Sequence, residues 1–443
     1  MKKETMNTTR ACKIQITLTL LLFLCFIIPV SSVSVVYNQN TADIEKNQPC
    51  QTNQQKIQDV LLMIDETLIL QYLQKIVGFG PRVSGTYGCE KAAQYIHQQF
   101  LDDGLITRYQ NWTGWGNRIN FRRYSSQNIE GTLPGTETKN LPVIIFNAHY
   151  DSVAKGPGAN DDGSGTAAVL AAAFALSHFN FKRSIRFVTF SGEEVGLIGS
   201  RAYTKEAYAH NDSILVEINA DMIGYDKGSN TMTVTATEDV GWMADIFHTI
   251  NTNYSIGLTV NNGTINRNHH GLGGSDYAAF LPYGWECICC WEGDHDPNFH
   301  TAQDNLSNVN LSYLVNTTRL IAAALAFAAD ITDTPPQIRI TSPRVGFLYS
   351  NGMKKRPIDE FKTTVIDDIW IWAESEDVSS PLERAEFYYD GRLVYTDTEE
   401  PFSWQFNRFS LRKHEIYVVV YDELGRTSSD WREIRFINLF TKH

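Results

Sequence analysis

The chain has 443 residues, of which 43% are hydrophobic, 20% charged and 12% aromatic, a globular composition that excludes a disordered or low-complexity chain. Its formal net charge is −12, which makes it a poor partner for nucleic acid, because it would have to approach like-charged phosphates. The length exceeds one ordinary core and implies two domains or one large one.

In chain order, residues 1–32 carry the pattern of an export signal. Lys2, Lys3, Arg10 and Lys13 precede a mostly apolar run over 14–30, and small residues surround Ser32 and Ser34. The run is short for a bilayer span and is diluted by Gln15, Thr17 and Thr19, so it reads as a cleaved signal rather than an uncleaved anchor. The expectation is a secreted, extracellular chain with no stable span after signal removal, since the apolar stretches 167–174 and 320–329 are too short to cross. Five cysteines remain beyond the signal: Cys50, Cys89, Cys287, Cys289 and Cys290. So few indicate a real core and not a disulfide scaffold. The Cys287-Ile-Cys-Cys290 run reads as a buried strand, because no second cysteine pair completes a tetrahedral site. Asn-x-Ser/Thr acceptors occur at Asn111, Asn211, Asn253, Asn262, Asn305, Asn310 and Asn316.

Residues 33–56 are polar and read as a tether. Helical periodicity starts near Val60 and runs to Ile76, where Phe79-Gly80-Pro81-Arg82 stops it; a second amphipathic helix covers about 88–101. From Leu141 short apolar strands alternate with helices: strands at 142–147, 184–190, 214–219 and 285–291, and helices at 165–179, 197–210, 238–251 and 311–329. This pattern predicts an α/β domain over 57–332, a mixed, largely parallel sheet sandwiched by helices. After Asp333-Thr-Pro-Pro336 helical periodicity vanishes, and roughly seven short alternating strands in about 100 residues predict an all-β, immunoglobulin-like sandwich over 333–443.

Five clusters of metal-binding side chains punctuate the α/β part, most of them just past a predicted strand. That is where open α/β sheets place ligands. They are His149-Tyr-Asp151, the Asp161-Asp162 pair in Pro157-Gly-Ala-Asn-Asp-Asp-Gly-Ser-Gly165, Ser191-Gly-Glu193-Glu194, Asn219-Ala-Asp221 and His300-Thr-Ala-Gln-Asp304. Any one of them alone is an ordinary polar loop, and an acid pair before a helix can merely complement its dipole. One ligand from each cluster gives two histidines and three carboxylates. That suffices for two metals with three protein ligands each if one carboxylate bridges. Adjacent glutamates point in different directions, so one can bind metal while the other serves a water molecule.

The ordered string HxD, PGxxDDxSG, EExGLxGS, DMxG and HTxxD resembles the zinc exopeptidases of clan MH, which include bacterial leucyl aminopeptidases, aminopeptidase Y and the aminopeptidase S type. The resemblance covers roughly residues 60–330. It implies two Zn(2+) ions, with Asp161 bridging, His149 and Asp221 completing one site, and Glu194 and His300 the other. It implies Glu193 as general base and Asp151 as the carboxylate orienting His149. One departure is Tyr277, in Ser275-Asp276-Tyr277, where the family usually shows His; His269 and His270 lie a few residues upstream. The function implied is a secreted aminopeptidase acting on peptides with a free N-terminus. The alternatives are a carboxypeptidase, for which Arg267 is an isolated carboxylate-gripping candidate, a glutaminyl cyclase-like acyltransferase, and a receptor-like relative without catalysis. The C-terminal segments resemble the immunoglobulin-like modules appended to secreted microbial hydrolases, and they are the candidate surface for contact with a cell surface or polymer.

Overall fold

The computed structural model describes residues 52–117, 119, 121–137, 141–266, 274–359, 361–375 and 379–438. The signal reading over 1–32, most of the tether, Cys50, Arg267, His269 and His270 lie outside the described residues.

Two helices open the described chain where the periodicity predicts one. Helix α1 (Asn53–Met63) ends at Ile64, and α2 (Glu66–Val77) restarts at once because the Asp65 carboxylate caps it, accepting from the Leu68 N–H at 2.8 Å. Helix α3 spans Tyr87–Asp102. The hairpin of β1 (Ile106–Trp115) and β2 (Arg123–Leu133) follows, then β3 (Val143–His149), α4 (Gly163–Ser177), β4 (Ile185–Phe190), α5 (Ile198–His210) and β5 (Ile214–Ala220). Strand β6 (Thr231–Ala236), α6 (Gly241–Asn253), β7 (Thr259–Thr264), β8 (Cys287–Glu292) and α7 (Leu311–Asp330) complete this part.

The eight strands form one sheet in the order β1-β2-β4-β3-β5-β8-β6-β7. Strand β3 pairs in parallel with both β4 and β5, and β5 in parallel with β8, so the centre is parallel; β1–β2, β2–β4 and β8–β6 are antiparallel, and the edge pair β6–β7 is parallel again. Both faces are covered, as continuous apolar strands require. Ile144, Phe146 and Ala148 face a core shared with α4 and α7, while Ile145, Val188 and Phe190 face Tyr203 and Ala207 of α5 on the other side. Helix α4 is buried nearly all round, as its uniformly apolar sequence predicts, and α7, long and apolar enough to span a bilayer, lies in the core instead.

Among the described residues the all-β part holds ten strands. They are β9 (Ile338–Ser342), β10 (Phe347–Ser350), β11 (Met353–Pro357), β12 (Thr363–Ile366), β13 (Ile369–Ser375), β14 (Leu382–Tyr389), β15 (Arg392–Asp397), β16 (Phe402–Phe406), β17 (Lys413–Asp422) and β18 (Thr427–Ile437). They make a seven-stranded sheet packed on a three-stranded one, around Ile371, Phe387, Trp404, Val418 and Phe436. This sandwich sits directly against the α/β part, and Gln51–His443 is one compact unit. Gln337 donates to the Leu215 carbonyl at 2.9 Å, Arg432 to the Pro282 carbonyl at 3.0 Å, and the Ser429 N–H and hydroxyl both to Asp239 at 2.8 Å. The Arg344 guanidinium stacks 4.3 Å over the Tyr208 ring.

Candidate metal centre

The five clusters converge at the carboxyl ends of β3, β4 and β5. Here His149 is the last residue of its strand and not part of the loop after it. Asp161 stands between two histidines: its Oδ1 lies 3.2 Å from His149 Nε2 and its Oδ2 lies 3.1 Å from His300 Nε2. Asp221 approaches His149 Nε2 at 3.7 Å, and Glu194 approaches His300 Nε2 at 3.0 Å. Two trios result, His149–Asp161–Asp221 and Asp161–Glu194–His300, and the donor atoms within each lie within 4.8 Å of one another. They share Asp161. Glu193 belongs to neither.

The donor set fits divalent cations. Glu194 Oε1 is buried without a hydrogen-bond partner, a costly arrangement unless something else meets it. Burial and neighbouring carboxylates push Glu194 up to about 7, and burial drives Glu193 well above its usual range. Hydrogen bonds to Asp161 and Glu194 lift His300 up to about 10. Asp161 is itself held low: burial opposes its ionisation, but hydrogen bonds from His149 and His300 outweigh that. Carboxylates outnumber imidazoles here, and a cation held by each trio would reverse that local field. Imidazole nitrogen with carboxylate oxygen is a zinc-type donor set.

The protein fixes these ligands through a surrounding layer that the motif string only partly revealed. His149 Nδ1 lies 3.1 Å from the main-chain carbonyl of Asp151 and 3.6 Å from its carboxylate, so the carbonyl is the nearer orienting group. The Asp151 carboxylate instead accepts from the Ser84 hydroxyl at 3.0 Å and from the Glu193 N–H at 3.3 Å, tying the first cluster to the third. Asp162 caps α4 by accepting from the Gly165 N–H at 2.8 Å, and also accepts from the His149 N–H at 3.1 Å. Asp304 accepts from the N–H groups of Asn160 at 2.7 Å and Asp161 at 3.1 Å, fixing the backbone that presents the shared ligand. His300 has φ 58° and Met222, next to Asp221, φ 53°, left-handed values that non-glycine residues rarely adopt and that cluster at functional sites.

Two residues with no motif behind them complete the layer. Arg82, which reads in the sequence as part of a helix stop, is fully buried. Its guanidinium donates to the carbonyls of Tyr150 at 2.6 Å, Gly158 at 2.8 Å and Pro157, stapling the loop between the first two clusters. Glu292 accepts from the Asn160 amide at 3.0 and 3.1 Å and from the Tyr225 N–H at 2.8 Å, and burial pushes it up to about 9. It ends β8, so the rule that picks out the other acids, a carboxyl group just at the end of a strand, could have found it. Tyr277 packs edge-on against Trp291, with ring centroids 6.3 Å apart. Cys287, Cys289 and Cys290 are buried in β8, as the strand reading predicts, and their thiols are free of disulfide bonds.

The fold is a mixed sheet flanked by helices, with acidic and histidine side chains gathered at the strand ends. Residues 128–325 match the family model described as Peptidase family M28, which bears out for the α/β part the resemblance drawn from the motifs. The chain is 28% identical over 228 residues to Aminopeptidase YwaD of Bacillus subtilis (strain 168), spanning 49% of this chain and 48% of that protein. It is 30% identical over 210 residues to Aminopeptidase Y of Saccharomyces cerevisiae, spanning 42% of this chain and 36% of that one. The chain thus spans about half or less of these curated relatives. Among solved structures, the aminopeptidase from Aneurinibacillus sp. strain AM-1 shares the fold with a TM-score of 0.54 at 18% identity, covering 62% of this chain and 96% of that one. The glutaminyl cyclase of Fimbriiglobus ruber does so with a TM-score of 0.51 at 16% identity, covering 59% and 95%.

Proposed function

We propose that this protein is a secreted dizinc aminopeptidase that removes residues from the free N-termini of peptides. The observation that carries the reading is the sharing of Asp161 between two ligand trios, with Glu193 beside them and outside both. Two zinc ions held by His149, Asp161 and Asp221 and by Asp161, Glu194 and His300 would supply Lewis acidity, polarising the scissile carbonyl and making water acidic near neutral pH. Glu193 then takes the proton of the attacking water and delivers it to the leaving amine nitrogen. Asp151, through its carbonyl on His149 and its carboxylate on the Glu193 N–H, keeps ligand and base in register. The carboxylate-rich floor suits a protonated α-amine through charge-assisted hydrogen bonds.

The names of the curated relatives support the aminopeptidase reading over the carboxypeptidase one, and the completeness of both trios argues against a receptor-like relative. The glutaminyl cyclase likeness is one of fold alone. Paired peptides decide the direction of attack, one acetylated at its N-terminus and the other amidated at its C-terminus. The expected outcome is that the first is spared and the second trimmed. The reverse pattern would make the protein a carboxypeptidase.

A further inference from the structure

The turn between β1 and β2 brings Ile119 and Phe121 to a cleft they line together with Glu194 and His300. Its tip is held down on the loop that carries Glu193 and Glu194: the Asn117 N–H donates to the Val195 carbonyl at 2.7 Å, and the indole of Trp112 packs with Tyr124 and Val195. Yet the tip exposes large apolar side chains. Ile119 is 90% exposed, Phe121 72% and Trp115 63%, and the rings of Trp115 and Phe121 stack with centroids 5.3 Å apart. Apolar surface of that size beside a cleft marks an interaction site more often than an accident of packing.

The cleft under the tip joins it to the metal centre. Ile119, Phe121, Tyr124 and Val195 line it together with Asp151, Glu194 and His300, and it encloses about 770 Å³, room for more than one side chain. The two trios differ in access. His149 and Asp221 are buried, whereas the His300 side chain is 43% exposed at the mouth of the cleft. On the aminopeptidase reading, an N-terminal residue seated at the closed His149–Asp221 end would leave the rest of the peptide to pass His300 beside the hairpin.

We infer that the hairpin tip is the binding platform for the residues that follow the scissile bond, and that Ile119 and Phe121 select peptides with a bulky apolar side chain at the second position. The inference rests on the aminopeptidase reading for the direction of the chain and adds to it a substrate preference. Desolvating an apolar side chain against such a platform is worth about tenfold or more in discrimination.

The test compares two peptides that differ only in carrying Phe or Ser at position two, using the wild type and an Ile119→Ser/Phe121→Ser double variant. Both positions are exposed, so the fold is not at stake. The wild type should favour the Phe peptide by about tenfold in kcat/KM, and the double variant should bring the ratio close to one, with the change in KM. Calorimetry of the same peptides on Glu193→Gln protein, with and without the tip substitutions, reads the same preference without turnover. An unchanged ratio together with unchanged binding would overturn the inference. If no N-terminal residue were released from either peptide, the aminopeptidase reading would fall, and calorimetry would still decide whether the tip selects apolar side chains.

Discussion

At the scale of single residues, the proposed division of tasks between the adjacent Glu193 and Glu194 has a geometric basis. Only Glu194 reaches a trio, through the 3.0 Å approach to His300, while the Glu193 N–H is tied to Asp151. Glu193→Gln should keep both metals and lose about 10²–10⁴-fold in turnover, whereas Glu194→Gln should lose metal on dialysis. Swapped phenotypes would reverse the assignment. Beneath the centre, Asn219 donates to Asn147 at 3.0 Å, and Asn147 donates to Glu217, whose carboxyl is raised by burial from the ordinary 4.5 up to about 8. The folded protein thus keeps a proton that the unfolded chain releases above 4.5. The associated stability is complete below that value and is lost as pH rises toward 8, at about 1.4 kcal/mol per pH unit. Glu217→Gln, which keeps the acceptor for Asn147, should flatten this fall in denaturant midpoints measured between pH 5 and 8. A parallel fall in wild type and variant would refute it. In the sandwich, Asp390, His414 and Ser410 are hydrogen-bonded in series at 2.7 and 2.6 Å, but Ser410 and His414 are each 4% exposed, so this relay braces β17 and meets no substrate.

At the scale of elements, the hairpin is both a cleft wall and a brace for the loop bearing the two glutamates. Glycines permit the close approach: a Cβ on Gly192, at φ 85°, would meet the Trp112 ring at 2.8 Å, and one on Gly196, at φ 119°, would meet Asn117. Gly192→Ala should therefore shift the Glu193–Glu194 loop and reduce turnover about tenfold or more while far-ultraviolet circular dichroism stays unchanged. Full activity would mean that the loop does not need this support. The central strands and helices were legible in the sequence because burial on both faces demands unbroken apolar runs, as in 142–147 and 184–190. Strands β1, β2, β6 and β7 lie outside the strands that the apolar runs predict. The sequences of β1, β2 and β7, such as Arg123-Tyr-Ser-Ser-Gln-Asn-Ile-Glu-Gly-Thr-Leu133, carry polar side chains suited to the sheet's outer strands and give neither a continuous apolar run nor strict alternation, whereas β6, Thr231-Met-Thr-Val-Thr-Ala236, alternates strictly with its apolar residues buried and is legible by that rule. In the sandwich β11 is exposed throughout, and β10 and β12 are four residues each, too short for a periodicity to stand out. The ligands were legible because strand ends concentrate them. Arg82 was not, since nothing local tells a buried guanidinium from a loop cation. Of the glycosylation acceptors, Asn305 and Asn310 spend their side-chain oxygens as helix caps, which the tripeptide pattern cannot reveal.

At the scale of the whole molecule, the sequence reads as an enzyme domain followed by an independent module, but the structure docks the two through a polar and aromatic seam. Trp285, Tyr283 and Tyr208 pack together in one cluster that also takes in Val345 from the sandwich, and the Arg339 guanidinium lies 5.2 Å over the Trp285 ring. A chain ending at Ile331 would bare this seam, at about 1.5–3 kcal/mol for each large side chain exposed. Its thermal midpoint should drop by several degrees, while small-substrate turnover at low temperature persists, because the cleft is lined only by residues before 301. An unchanged midpoint would mean that the seam contributes little.

The central claim is that one carboxylate, Asp161, is shared by two metal sites. The most direct test is the number of zinc ions bound per chain after dialysis, measured by elemental analysis in the wild type and in Asp161→Asn. The account predicts close to two in the wild type and loss of both ions from the variant, since Asp161 is the one ligand common to the two trios. A fully active wild type holding one zinc, or an Asp161→Asn protein that retains two, would contradict it.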